Sequence, residues 1–389
     1  MRLNLILLEY SGYDTDMMKK RYKFALIFLV FAVVILFTAC MTLNAPQFGQ
    51  LPQHARLEQI KQSPHYVNDE FSYPVATPML LEGESSIKIF WDNFWKEKQQ
   101  TVPKQALPTI KTNLHTLNPQ QDVVIWLGHS AYYMQLAGKR ILIDPVLSDH
   151  AAPFSFLIKA FEGTTLYQAE DIPEIDYLLI SHDHYDHLDY LTVTQLQNKV
   201  KNVIVPLGVG AHFEYWGYPV EKISENDWFD TVTLEPNLNI HVLPARHYSG
   251  RTFTRNQTLW ASYALVTPKH KIYFGGDSGY GPHFKDIATK LGNFDLVMLD
   301  SGQYDPRWSL IHMTPEEAIQ AAIDLNAKAI LPMHIGRFAL SSHAWNEPFK
   351  RIANASKNAP LTLLTPKIGQ PVWLDGQVHQ FSHWWENIE

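Results

Sequence analysis

At 389 residues the chain can bury one large core or two modest ones, and its 46% hydrophobic content excludes a disordered protein. The 32 Lys and Arg residues against 39 Asp and Glu residues give a formal charge of −7, and basic runs are confined to the extreme N-terminus. Nucleic acid is therefore disfavoured as a partner.

The N-terminal segment carries the features of an export signal. Four basic residues precede an uncharged run over residues 24–39, which ends at Cys40. We therefore predict a signal peptide over residues 1–40. Three acidic side chains within the first 16 residues are atypical of the start of such a signal. Translation is accordingly expected to begin at Met17 or Met18.

Cys40 is the only cysteine, and it closes the segment "LFTAC". This segment resembles a bacterial lipobox, in which the signal is cut before a cysteine that then carries lipid, although Phe37 departs from the usual Leu. The alternative is an uncleaved anchor. Both predict an exported protein of a bacterial cell envelope, held at a membrane and facing the periplasm. A single cysteine also excludes disulfides within the chain and a Cys-based zinc site in the globular part.

Residues 41–119 are rich in Pro, Gln and Asn, with scattered aromatic residues. The stretch "IKIFWDNFWKEK" predicts one amphipathic helix. We interpret the whole segment as an extended N-terminal arm that packs on the domain after it. The aromatic side chains of this helix either belong to the core or contact acyl chains.

Residues 120–389 form the main domain, in which short apolar runs alternate with turn residues and helical patterns. Strands are predicted at "VVIWLG", "YYMQLAGKRILIDP" (two strands joined by a turn), "IDYLLIS", "NVIVP", "NIHVLPA", "SYALVTP", "KIYFGGD", "DLVMLDS" and "AKAILPMH". The clearest helix follows Thr314, with Pro315 at its first position and Glu317 completing a capping box. Strands with interleaved helices predict an α/β layered domain.

The stretch "SHDHYDH" concentrates metal-ligating side chains directly behind a predicted strand. His182 and His184 are two apart in extended chain and can point the same way, while Asp186 and His187 fall on the following turn. Imidazole nitrogens and a carboxylate without a thiolate suit zinc, and ligand type leaves iron and manganese open. A loop of solvated histidines is the alternative, which the spacing of these four candidate ligands disfavours.

Further candidate ligands lie where other predicted strands run into loops. They are His247 in "LPARHYSGR", Asp277 in "IYFGGDSGYG" and His334 in "AILPMHIGRF". Functional groups of layered α/β domains commonly lie at such positions. Each of these residues, taken alone, is as consistent with an ordinary loop or core polar residue.

The order His-x-His-x-Asp-His, His, Asp, His resembles the metallo-β-lactamase superfamily over about residues 120–375. Within it, "WLGHSAY", "ILIDPVLSDHAAP", "PARHYSGR", "GGDSGYGPHF", "HMTPEEA" and "MHIGRF" are similar to the branch of N-acyl-phosphatidylethanolamine-hydrolysing phospholipase D. The arm segment "PQFGQLPQHARLEQIKQSPHY" is similar to bacterial members of that branch. The resemblance implies a four-layer αββα sandwich with metals at one edge.

The same resemblance implies two zinc ions (Zn2+) per chain and assigns their ligands. One zinc would be held by His182, His184 and His247, and the other by Asp186, His187 and His334. Asp277 would bridge both ions, together with a water that they turn into hydroxide near neutral pH. Catalytic roles are expected for Asp186, Asp277 and His312.

His312 matches a further family histidine and precedes the capped helix. It is expected either to contact a substrate phosphate oxygen and assist the leaving group, or merely to orient its loop. His129 is similar to a family residue but is given no ligand role. The remaining histidines singled out as structural or surface residues are His212, His241, His270, His283 and His343.

The resemblance implies a metal-dependent hydrolase, namely a phospholipase D-type phosphodiesterase. It would cleave N-acyl-phosphatidylethanolamine to phosphatidic acid and N-acylethanolamine. Expected partners are a phospholipid or another small diester and a membrane surface. The alternatives are a lactonase or other ester hydrolase of the same superfamily, and a non-catalytic envelope lipoprotein. β-Lactam hydrolysis is disfavoured because the thiolate ligand of one major lactamase group cannot be supplied, and nuclease activity because a basic face is missing.

Overall fold

The computed structural model describes residues 15–43, 45–95, 100–235, 237–377 and 379–388. The chain divides into two compact units, Met1–Phe48 and Gly49–Glu389. The first contains helix α1, Thr15–Leu43. Among the helices in the described part of the chain, none combines the length and apolar character needed to cross a bilayer. Residues 1–14 lie outside the described residues. The later translation start and the cleavage at Cys40 both stay predictions.

The second unit opens with the part of the predicted arm that starts at Gly49. Its elements are helix α2 (His54–Ile60), the short strands β1 (Tyr66–Val67) and β2 (Glu70–Phe71), and helix α3 (Ser86–Trp95). The helix predicted from "IKIFWDNFWKEK" is present over residues 87–95 as part of α3, and its last three residues lie outside the described residues. Ile60 and Phe71 are fully buried in the main core, which fixes the first half of the arm on the domain that follows.

The first half of the main domain builds a mixed sheet. Its strands are β3 (Val123–Gly128), β4 (Ala131–Leu136), β5 (Lys139–Ile143), β6 (Ile175–Leu179), β7 (Val200–Pro206), β8 (Ile223–Asn226) and, from the C-terminal end, β16 (Pro371–Trp373). The strand order is β16–β3–β4–β5–β6–β7–β8. Pairing is antiparallel from β16 to β5 and parallel from β5 to β8.

The second half builds a sheet of the same design. Its strands are β9 (Thr231–Glu235), β10 (Leu238–Leu243), β11 (Ser262–Val266), β12 (Lys271–Phe274), β13 (Leu296–Asp300), β14 (Ala329–Met333) and β15 (Thr362–Leu363). The order is β15–β14–β13–β12–β11–β10–β9. The strands from β9 to β12 pair antiparallel and those from β12 to β15 pair parallel.

Alternating side chains show that the two sheets pack face to face. In β3, Val124 and Trp126 join the largest apolar cluster, whereas Val123 and Ile125 join a separate one on the opposite face. Strands of the second sheet contribute to the same large cluster and to a third cluster behind it. Because successive side chains of a strand point to opposite faces, each sheet is buried on both sides.

Helices cover the two outer faces. The first sheet is covered by α4 (Tyr190–Leu196) and α5 (Gly210–Tyr215), and the second by α6 (His283–Leu291), α7 (Pro315–Asp324) and α8 (Glu347–Ala355). The predicted capping box at α7 is present, because the Thr314 hydroxyl accepts from the Glu317 amide and the Glu317 carboxylate accepts from the Thr314 amide. The predicted four-layer αββα sandwich is confirmed.

The two sheets meet at one edge, where several predicted ligands lie. The amide of His334, just after β14, donates to the carbonyl of His129, just after β3, at 3.2 Å. The Ala261 amide donates across to the carbonyl of Ser181, beyond β6, at 2.9 Å. The loops that leave the strands of both sheets are therefore tied together at this edge.

Candidate metal centre

The stretch 182–187 folds as a turn that starts where β6 ends. The amides of His187 and Leu188 both donate to the carbonyl of His184, at 3.1 and 2.8 Å. This turn brings the ring of His187 next to that of His182, with ring centres 4.2 Å apart. The rings of His182 and His184 are neighbours as well, with centres 4.5 Å apart.

Three imidazole nitrogens converge from this turn and from the loop after β10. Nε2 of His182 lies 2.8 Å from Nδ1 of His184, and that nitrogen lies 3.3 Å from Nε2 of His247. Nitrogens bound about 2.0–2.1 Å from a tetrahedral zinc are separated by roughly 3.3 Å. The spacing of these three nitrogens is therefore suited to one common ion.

A second group lies next to the first and combines a carboxylate with two imidazoles. Oδ2 of Asp186 lies 3.0 Å from Nε2 of His334 and 3.4 Å from Nε2 of His187. His334 has a positive φ of 64°, a backbone conformation that non-glycine residues adopt only rarely. The strained backbone directs its ring at Asp186, as is common for residues of functional sites.

Asp277 lies between the two groups. Its Oδ2 atom is 3.1 Å from Nε2 of His187 and 3.3 Å from Nε2 of His334, and 3.7 Å from Nε2 of His247. Its other oxygen, Oδ1, is buried without a hydrogen-bond partner among the described residues. The structure thus brings all seven predicted ligands together, with Asp277 in the position expected of a bridge. Which of them hold an ion stays a prediction.

The charges of the cluster favour a cation at its centre. Burial opposes ionisation of Asp186 and Asp277, but the surrounding imidazoles hold the pKa of both carboxyls well below the usual range. Burial likewise disfavours protonated His187 and His334, yet Asp277 and the other nearby carboxylates outweigh it and raise the pKa of both, to about 10 for His334. Carboxylates that attract positive charge this strongly, lined by imidazoles, form a donor set that fits divalent metal.

Buried carboxylates outside the ligand set orient one of its rings, that of His187, and the ring of His312 beside it. Asp144 accepts from Nδ1 of His187 at 2.7 Å, and Asp300 lies 2.7 Å from Nδ1 of His312. Metal-bound histidines usually donate their second ring nitrogen in this way, which fixes tautomer and orientation. Neither residue was predicted from the sequence, although each stands at the end of a buried strand, the signal that marked Asp277.

His129 is closer to the centre than expected. Its Nε2 atom lies 2.9 Å from Oδ2 of Asp186, the oxygen that also faces His334. Burial, and then the neighbouring His334 ring, lower the pKa of His129 to about 3. A neutral ring in that position donates its Nε2 hydrogen to Asp186. His129 therefore positions a predicted ligand, which the sequence analysis did not foresee.

His312 lies just before α7 and borders the cavity in front of the cluster. Its ring centre is 5.0 Å from that of His247 and 4.9 Å from that of His334. With Nδ1 held by Asp300, the nitrogen left for a substrate is Nε2. This geometry suits the expected contact with a phosphate oxygen or leaving group.

The histidines expected to be structural make other contacts. His212 pairs with Asp183 at 3.3 Å, His283 lies 3.0 Å from the Tyr73 hydroxyl, and His343 accepts from the Gln303 amide at 2.9 Å. None of these residues belongs to the described groups that could hold a metal ion.

Comparison with known proteins identifies the family. The family described as "Beta-lactamase superfamily domain" matches residues 139–335, which contain the whole ligand set. The chain belongs to the metallo-β-lactamase superfamily. It is a metal-dependent hydrolase of that superfamily, in agreement with the resemblance seen in the sequence.

Individual relatives show how far the similarity extends. An uncharacterized protein of Mycobacterium tuberculosis is 37% identical over 330 residues, which are 84% of this chain and 88% of that protein. N-acyl-phosphatidylethanolamine-hydrolyzing phospholipase D 1 of Caenorhabditis elegans is 28% identical over 72% of this chain and 87% of its own length. The solved structure of Igni18, a metallo hydrolase of Ignicoccus hospitalis, has a TM-score of 0.51 at 19% identity and covers 66% of this chain and 100% of its own. It supports the fold alone.

Proposed function

We propose that this protein is a dinuclear zinc phosphodiesterase of the phospholipase D type, which cleaves N-acyl-phosphatidylethanolamine to phosphatidic acid and N-acylethanolamine. The observation that carries the proposal is the position of Asp277 between two groups of metal-ligating side chains. Paired ions are a common device for hydrolysing phosphate diesters. The Caenorhabditis elegans relative is named for this reaction, which supports the choice of substrate.

The seven residues have distinct tasks in this proposal. His182, His184 and His247 would hold one zinc, Asp186, His187 and His334 the other, and Asp277 both. Zinc bound there would supply Lewis acidity and a nucleophile near neutral pH. The buried partners Asp144 and His129 would hold His187 and Asp186 in orientation for binding.

His312 and the cavity wall account for substrate binding. Asp300 keeps the hydrogen of the His312 ring on Nδ1, so Nε2 is free to accept a proton or a hydrogen bond. A phosphate in the cavity would contact His312 on one side and the ligand cluster on the other, because both border the same space. After taking up a proton, Nε2 can pass it to the departing alcohol oxygen.

We also propose a cellular location for the enzyme. A basic stretch followed by an uncharged run and Cys40 supports export and lipid attachment in a bacterial envelope, facing the periplasm. Attachment would keep the enzyme next to its phospholipid substrate. Mass spectrometry of the N-terminus of protein purified from membranes tests this point: a lipidated Cys40 supports it, and an intact N-terminus contradicts cleavage.

The function is tested with purified full-length protein and a panel of substrates. We expect N-acyl-phosphatidylethanolamine to yield phosphatidic acid and N-acylethanolamine, identified by mass spectrometry, and bis(p-nitrophenyl) phosphate to be cleaved as well. His115→Ala, which changes an exposed histidine outside the cluster, serves as the control for His184→Ala. Cleavage of the simple diester alone would exclude the phospholipid as the substrate. Turnover of lactones alone would favour a lactonase. Bound metal without any turnover would favour a non-catalytic envelope protein.

A further inference from the structure

A cavity of about 310 Å³ opens directly in front of the ligand cluster. Its lining combines polar ligands, among them His184 and Asp186, with an apolar wall. Ile158, Ile311 and Leu340 contribute to this wall, and Met79, Leu80 and Ile89 extend it. An apolar wall facing a few convergent polar groups is the usual character of a small-molecule site.

The last three of these apolar residues come from the arm. Met79 and Leu80 lie in the irregular stretch before α3, and Ile89 lies on α3 itself. All three stand outside residues 139–335, the part that matches the superfamily. The arm therefore extends an apolar lining to which Ile158 and Ile311 of the matched segment also contribute, whereas the ligands all come from within that segment.

Hydrogen bonds hold the arm in this position. Nε of Arg246, the neighbour of His247, donates to the Thr77 hydroxyl at 3.0 Å. Further along, the Leu81 amide donates to the carbonyl of Arg307 at 2.9 Å. The guanidinium of Arg307 also lies 3.8 Å from the Asp92 carboxylate of α3. The segment that carries the wall is thus fixed at both ends to loops of the metal edge.

The chemistry of the wall indicates its ligand. Its side chains offer no hydrogen bond and no charge, so they can stabilise only apolar groups removed from water. The phosphate end of a ligand would be held by the polar side of the same cavity. A phosphate ester with an attached hydrocarbon chain satisfies both sides at once.

We propose that the arm residues Met79, Leu80 and Ile89 form a subsite for the hydrocarbon chain of the substrate and determine the preference for lipid over small diesters. The inference rests on the proposed phosphodiesterase function for its choice of phosphate esters. It adds specificity-determining residues that lie outside the superfamily domain. Ile89 is half-buried in the wall, whereas Ile87, two residues earlier on the same helix, is 72% exposed and does not border the cavity.

The test compares Ile89→Asn with Ile87→Asn in the full chain. Calorimetry measures the affinities for octyl phosphate, below its micelle concentration, and for methyl phosphate. Loss of one buried apolar contact is expected to lower the ratio of the two affinities about tenfold in Ile89→Asn. The ratio should stay within about twofold of wild type in Ile87→Asn. If Ile89→Asn unfolds, Leu80→Asn in a different part of the wall takes its place. We expect it to lower the ratio of the two affinities by a similar factor.

The outcomes separate this inference from the proposed function. Equal loss of both affinities, an unchanged ratio in both wall variants, or the same fall in Ile87→Asn would overturn the subsite. Wild-type cleavage of bis(p-nitrophenyl) phosphate is measured in parallel. If the wild type cleaves this diester but the affinity ratio is unchanged in the wall variants, the phosphodiesterase function stands and the subsite is refuted. If the ratio falls in the wall variants but the wild type cleaves no diester, the subsite stands and the phosphodiesterase function is refuted.

Discussion

Replacing Asp300 by Asn tests how His312 is positioned. The carboxylate is fully buried; Oδ2 faces Nδ1 of His312 at 2.7 Å and Oδ1 faces the Gly302 amide at 3.3 Å. Both of these neighbours donate hydrogen. Asparagine has the same shape but a single acceptor oxygen, so its amino group must face a donor on one side.

The expected loss follows from the bond that is given up. A hydrogen bond to a charged group contributes about 1.5–3 kcal/mol, which corresponds to roughly a 10- to 150-fold fall in kcat/KM if it acts in the transition state. We expect this fall for bis(p-nitrophenyl) phosphate, with bound metal retained because Asp300 is not among the predicted ligands. Asp295→Asn, just before the start of β13, weakens a surface pair with Lys328 and keeps an acceptor oxygen for the Lys271 amide, so it should leave kcat/KM within about twofold.

The assay measures kcat/KM and metal content on the same samples. A fall of less than threefold in Asp300→Asn, with metal retained, would refute the reasoning that Asp300 fixes the tautomer of His312. A fall caused by lost metal alone would assign Asp300 to support of His334, whose Nδ1 lies 3.5 Å away.

Further predictions concern the ligands, the acid side of the stability curve and the packing behind the site. His184→Ala should lower bound metal and abolish turnover while circular dichroism stays near that of wild type; an unchanged rate would exclude the proposed site. Burial, and then Arg246, lower the pKa of His283 to about 3 from an ordinary 6.5. As the pH falls, His283 is therefore protonated in the unfolded chain before it is protonated in the folded chain. The contribution of neutral His283 to the free energy of unfolding is complete above pH 6.5 and is lost toward pH 3, at up to about 1.4 kcal/mol per pH unit. His283→Gln should flatten urea-derived stability against pH between 6 and 4, and equal slopes would contradict this. A Cβ at Gly302 would lie 2.4 Å from the His334 carbonyl oxygen, so Gly302→Ala should lower both Tm and bound metal. Unchanged values would show that the backbone shifts to make room for the added methyl group and would contradict this prediction.

The fold was largely predictable because its central strands are buried on both faces. Runs such as "VVIWLG" and "DLVMLD" have few polar residues and end at turn residues, which marks them clearly. In the main domain, the strands that were not predicted are β8, β9, β15 and β16. Each lies at or next to the outer end of its sheet, is short or partly exposed, and mixes polar with apolar residues, so its pattern alone does not distinguish it from a loop.

The site was predictable where ligands are close in sequence or follow a strand. The turn 182–187 and residues such as Asp277 could be found in this way. His129 could not, because its role depends on contact with Asp186, 57 residues later, and on an unusual backbone with φ of 55°. The apolar wall was equally hidden, since the arm reaches the cavity only through tertiary contacts with loops such as that of Arg307.

We propose that one cluster of seven side chains binds two zinc ions and hydrolyses phosphate diesters. The most direct measurement is metal content per chain of purified full-length protein, followed by cleavage of bis(p-nitrophenyl) phosphate on the same sample before and after chelation. We predict close to two zinc ions per chain, with activity lost on chelation and restored by zinc. Protein that binds no metal, or that cleaves the diester equally well after its metal is removed, would contradict the account.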